Sequence, residues 1–159
     1  MKQLTVELVP KTCWFSNVRD HVDQETWDVL RKDAYRKANN VCSICGGKGN
    51  RWPVECHEIW HYDDEKHIQT LEGLIALCPN CHEVKHIGLA GVRGRANIAE
   101  AHLAKVNGWT KEQVSSYLEG VWEVWFERSR YEWELDLSWL EREYKIVVSS
   151  KRIKKVEEE

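Results

Sequence analysis

Residues 41–86 read VCSICGGKGNRWPVECHEIWHYDDEKHIQTLEGLIALCPNCHEVKH. Two Cys-x-x-Cys pairs bracket the stretch, Cys42/Cys45 and Cys78/Cys81. A tight turn brings the two thiolates of each pair round one ion, and two such turns complete a tetrahedral zinc site. Gly46 and Gly47 follow the first pair and let the backbone wrap close to sulfur without a Cβ in the way. Pro79 stiffens the second turn. A redox role suits a lone Cys-x-x-Cys, but not two of them flanking one histidine-rich segment. The first expectation is a structural Zn2+ on Cys42, Cys45, Cys78 and Cys81.

The residues between the pairs alternate like a short strand over Pro53–Cys56, and His57 follows directly. Leu74–Leu77 leads into the second pair, and His82 and His86 come just after it. A helix starting near Asn80 sets these two imidazoles at i and i+4, one turn apart on one face, where they can hold a divalent metal. The pattern resembles the HNH endonucleases, the ββα-metal or His-Me finger group, in the subset that carries a zinc knuckle pair. The flanking VPKTCWFSNVR (9–19) and HIGLA (86–90) look like parts of small standalone bacterial or phage proteins of that kind.

The resemblance implies an α+β, helix-rich chain with a zinc-stapled ββα core over about 41–88. It makes His57 the catalytic general base, with His82 and His86 as ligands of a catalytic Mg2+, Mn2+, Ni2+ or Zn2+. The family residue before the catalytic histidine, Asp or His, also binds that metal, and here it is Cys56. A thiolate there is a softer ligand and favours zinc over magnesium. Asp63 and Asp64 are the alternative ligands. The family's Asn or Asp that braces the histidine loop is Gly73 here. The implied activity is metal-assisted hydrolysis of phosphodiester bonds in DNA, with duplex DNA as the expected partner. Cys56 and Gly73 also keep open a zinc-stapled nucleic-acid or protein-binding module without catalysis.

HEIWH (57–61) and HEVKH (82–86) both match His-Glu-x-x-His, a zinc-protease motif that works only on a helix. The first holds Ile59 and Trp60, strand formers, and the second begins inside a cysteine knuckle. Glu83→Gln separates a protease, in which that carboxylate activates water, from a nuclease that does not need it.

The chain has 159 residues and a net charge of −3, enough for one domain with a real core and too acidic for a generic DNA-coating protein. The charge is segregated: Arg31, Lys32, Arg36, Lys37, Lys48 and Arg51 form one basic run. Lys85, Arg93 and Arg95 form part of another and are the expected phosphate contacts. Cysteines in metal-site spacing, no leader-like opening and no apolar run near the roughly 18 residues of a membrane span point to the cytoplasm and no membrane.

Leu4, Val6 and Leu8 alternate and predict a strand over 3–9, followed by a loop anchored by Trp14 and Phe15. Asp23 caps a helix over 24–38 with Trp27, Leu30 and Ala34 inward, ended by Asn39-Asn40. Gly88 predicts a helix stop and 88–96 a flexible bend. A helix is expected over 97–106, then Thr110 and Gln113 form a capping box opening a helix to about Tyr131. Its stripe of Val114, Leu118, Trp122, Trp125 and Phe126 is expected to face a core. A strand near 133–137, a turn of helix from Ser138, a strand over 144–148 and a solvated charged tail over 150–159 complete the reading.

Overall fold

The structure, a computed structural model, describes residues 2–13 and 17–148 and the backbone of 152–154. Trp14 and Phe15, the expected anchors, and the expected solvated tail lie outside the described residues, save for that short backbone run. The fold is α+β. Helix α1 spans Gln24–Lys37, and the Asp23 carboxylate accepts from Thr26 N at 2.7 Å, so the cap read from the sequence is made. Trp27, Leu30 and Ala34 are its buried stripe. Asn39 and Asn40 end it, both in the left-handed region (φ 54° and 57°), which asparagine tolerates best after glycine.

Strands β1 (Glu55–Asp63) and β2 (Ile68–Leu77) form an antiparallel hairpin. Its tip is tied by Asp63, whose Oδ1 accepts from the backbone N–H of Glu65 and Lys66 at 3.0 Å each. Helix α2 (Pro79–Lys85) follows β2 at once, with the Cys78 sulfur accepting from Cys81 N as the N-cap and Pro79 in the first turn. Then come α3 (Ile87–Val92), α4 (Ala96–Asn107) and α5 (Lys111–Arg128). Gly108 ends α4 at φ 66°, and the Thr110/Gln113 capping box opens α5 with both reciprocal bonds made. Strand β3 (Glu134–Asp136) lies parallel beside β2, α6 covers Ser138–Tyr144, and β4 (Arg152–Lys154) pairs antiparallel with β3. Among the described residues no helix is long and apolar enough to cross a membrane.

The hairpin feeds two cores. Leu77 packs with Cys42, Ile44, Val84, Leu103 and Leu118 in the first, and Leu71 packs with Trp27, Leu30, Leu135 and Leu140 in the second. A smaller group joins Cys13, Tyr62 and Trp133.

Four expectations are corrected. Residues 3–9 are not a strand: Leu4 exchanges two bonds with the Asn107 side chain, both at 2.8 Å, and Val6 N donates to the Tyr117 hydroxyl at 2.8 Å. Gly88 stops nothing; α3 runs through it, and a Cβ there would sit 3.3 Å from Trp122 Cη2, so the glycine admits that indole. The outer half of the α5 stripe is not core, since Trp122 and Phe126 are exposed, and the helix ends at Arg128. Residues 145–148 follow a left-handed Lys145 (φ 56°) without pairing as a strand.

Candidate metal centres

The first centre is the cysteine cluster. One sulfur from each of Cys42, Cys45, Cys78 and Cys81 lies within 4.8 Å of the others, with Cys45 and Cys78 Sγ 3.6 Å apart. Backbone N–H groups point at these sulfurs: Ile44 and Cys45 toward Cys42, Gly47 toward Cys45 (3.3 Å), and Cys81 toward Cys78 (3.4 Å). Gly46 takes φ 75° to make the turn, as its place after the first pair predicts. Without a cation the sulfurs cannot share negative charge. A bond from the Cys81 thiol holds Cys42 down at about 4, while burial pushes Cys78 up to about 11 and Cys81 is driven up by its bond to Cys42. Four converging sulfurs with N–H groups aimed at them suit a tetrahedral Zn2+. His102, which no motif in the sequence singles out, brings its Nε2 to 3.2 Å from Cys81 Sγ. No spacing signal links the two, because α4 reaches the knuckle only through tertiary packing.

The second centre gathers His57 from β1 with His82 and His86 from the end of α2. One ring nitrogen of each lies within 4.8 Å of the others. The ring centroids form a near-equilateral triangle, 5.2, 5.2 and 4.9 Å on its sides. His86 and His82 Nε2 are 3.2 Å apart, and His82 Nδ1 is 2.9 Å from Glu55 Oε1. Burial, then the neighbouring imidazoles, lowers His57 to about 2 and His86 to about 4, so both are neutral with a lone pair to offer. Three imidazoles converging from two elements match the donor set of an open, catalytic type of divalent site. The site opens into a groove of about 680 Å³, which Thr5, Glu7, Arg19 and Lys85 also line. Arg93 lines a second cleft together with Glu55, His82 and His86.

Several expected site residues stand elsewhere. Cys56 is not among the three donors. Successive strand residues point to opposite faces, and Cys56 packs on the Val18–Trp27–Leu30 side, where burial lifts its thiol to about 12. Asp63 is spent on the hairpin turn, and Asp64 accepts two bonds from Arg128 at 2.9 and 3.1 Å. Lys85 does not project from the surface. It is 8% exposed, donating to Thr5 Oγ1 at 3.0 Å and Glu7 Oε2 at 3.1 Å on the groove wall. Arg95 is held by Glu83 through two bonds, 2.6 and 3.2 Å. The same pairing occupies the carboxylate that a protease would need, and HEIWH lies on a strand, with His61 turned toward Glu72. Gly73 pairs with Ile59 at an irregularity in the hairpin register, so no side chain there braces His57.

No family model matches the chain, and neither a curated protein nor a solved structure matches it.

Proposed function

We propose that the chain is a divalent-metal-dependent nuclease of the HNH kind, hydrolysing phosphodiester bonds of DNA. The observation that carries this reading is the convergence of His57 from a hairpin strand with His82 and His86 from the helix that follows it. The cysteine cluster sits at the base of the same hairpin and helix, so a structural zinc there would set the angle between them.

His57, His82 and His86 would hold the divalent ion. Such an ion supplies positive charge to a phosphate oxygen and eases deprotonation of the attacking water. The even spacing of the three rings supports reading His57 as a third residue that would hold the ion, where the sequence reading made it the general base. Lys85, fixed by Thr5 and Glu7 on the groove wall, offers an ammonium to a phosphate that enters the groove. Arg19 on that wall and Arg93 in the second cleft give a backbone path across the site.

Plasmid nicking with Mg2+, Mn2+, Ni2+ and Zn2+ tests the reading, run on wild type, His57→Ala and His86→Ala, with metal affinity measured alongside. Metal-dependent cleavage that falls by about 10²–10⁴-fold in His57→Ala is expected, with metal affinity lost as well. Cleavage lost while affinity stays returns His57 to the role of general base. Binding of metal and DNA without cleavage, under every ion, sinks the nuclease and leaves a zinc-stapled binding module.

A further inference from the structure

Beside the three imidazoles lies a carboxylate that the proposed chemistry does not use. Glu55 opens β1, two residues before His57 and therefore on the same face of the strand. Its Oε1 accepts from His82 Nδ1 at 2.9 Å, and its Oε2 accepts from Trp52 Nε1 at 2.8 Å. A carboxylate oxygen accepts, so in this contact the His82 ring donates from Nδ1. That leaves Nε2, the atom that faces His86 Nε2 at 3.2 Å, as the nitrogen able to take a metal ion.

Trp52 is the second half of the device. It is 48% exposed, a large apolar side chain left half in solvent while its one polar atom serves Glu55. Its backbone is fixed from the cysteine side. Gly49 N donates to Pro53 O at 3.0 Å, and Gly49 packs so closely that an added Cβ would fall 2.3 Å from Trp52 O. The loop that leaves the first cysteine pair therefore ends in an indole that holds Glu55, and Glu55 holds His82.

We infer that Glu55, anchored by Trp52, is the positioning residue that locks His82 in the tautomer and orientation able to bind metal. This rests on the reading of His57, His82 and His86 as a metal site. Both carboxylate oxygens are already engaged, so Glu55 acts through His82 and is not itself a ligand. A carboxylate on the far nitrogen also raises the basicity of the coordinating one. The expected consequence is a site whose affinity depends on a residue that never touches the ion.

The experiment is a Co2+ titration into the full chain with zinc already in the cysteine cluster, so that the visible absorption reports the imidazole site. Wild type, Glu55→Gln, Glu55→Ala, Trp52→Phe and His86→Ala are compared, with far-UV circular dichroism and zinc content as checks on folding. Co2+ affinity is expected to fall by about 10–100-fold in Glu55→Ala. The losses should be smaller in Glu55→Gln, which keeps a neutral acceptor, and in Trp52→Phe, which keeps the carboxylate. Nitrogen-15 spectra of the cobalt-free protein are expected to show His82 protonated on Nδ1 in wild type and as a tautomer mixture in Glu55→Ala. Affinity lost in His86→Ala but retained in folded Glu55→Ala and Glu55→Gln overturns the role of Glu55 alone. Affinity retained in His86→Ala as well overturns the metal site. Affinity lost in Glu55→Ala with the His82 tautomer unchanged makes Glu55 a ligand and overturns its positioning role.

Discussion

A β-carbon at position 49 would fall 2.3 Å from the Trp52 carbonyl oxygen and 2.7 Å from two ring carbons of Pro79. One of these contacts lies in the loop after the first cysteine pair and the other in the turn of the second, so Gly49 is where the two knuckles close on each other. Neither neighbour is the free end of a flexible side chain. Gly49→Ala is expected to cost about 1–3 kcal/mol, as overpacking does, and to speed zinc loss to a coloured chelator. A melting temperature and zinc release equal to wild type would show that the loop yields without strain. Sequence reasoning found Gly46 and Gly47 because they follow a cysteine pair. It could not find Gly49, whose contact with Pro79 comes from a segment 30 residues on. The four cysteines and the His82/His86 pair were legible because turn and helix spacing place donors locally. Cys56 was assigned from a family pattern, although strand alternation already set it on the face opposite His57.

Between elements, the Asp33 carboxylate of α1 accepts from the Tyr144 hydroxyl at the end of α6, Lys37 Nζ lies 2.9 Å from the same oxygen, and Arg36 pairs with the other. The Tyr144 bond first, then Lys37, holds the Asp33 carboxyl well below the usual range. A carboxyl so depressed adds stability above its unfolded pKa of about 3.9 and loses it as pH falls toward the lower folded value. Asp33→Asn is therefore expected to be less stable than wild type by about 1–2 kcal/mol at neutral pH. The gap should narrow in urea melts below about pH 4, and a gap of constant size down to pH 2 would remove Asp33 from the account.

This pairing had no sequence signal, whereas α1, α4 and α5 did. Their caps and periodicities are local, and local terms decide where a helix begins and ends. The misplaced strands at 3–9 and 144–148 show the limit of that logic. Leu4 and Val6 pack in the first core, and Ile146 and Val148 in the second, so the alternation recorded burial correctly. A strand also needs a backbone partner, and at 3–9 the side chains of Asn107 and Tyr117 take that place. Trp122 and Phe126 fail in the opposite way: they keep the helical period but stay exposed, Trp122 resting against the α3 surface at Gly88.

Across the whole molecule the cysteine cluster belongs to one core and not the other. Cys42, Cys78 and Cys81 are buried members of the first core, which also holds Val84 of α2, Ala90 of α3, Leu103 of α4 and Leu118 of α5. The second core, around Leu30, Leu71, Leu135 and Leu140, counts no cysteine among its buried members. Structural zinc in small knuckles carries an apparent binding free energy of about 10 kcal/mol or more, and that free energy is folding free energy. Stripping the metal should thus act on the helical side first. Hydrogen exchange on zinc-loaded and chelator-treated protein is expected to show protection falling at least about 10-fold in α2 and α4, while β3 and α6 keep theirs. Because His82 and His86 ride on α2, Co2+ binding at the imidazoles should weaken in the same sample, although no cysteine sulfur belongs to that donor set. Uniform loss of protection would mean that the two cores unfold as one. Unchanged protection in α2 would mean that hydrophobic packing, not the metal, sets that helix against the hairpin, and the two centres would then be mechanically independent.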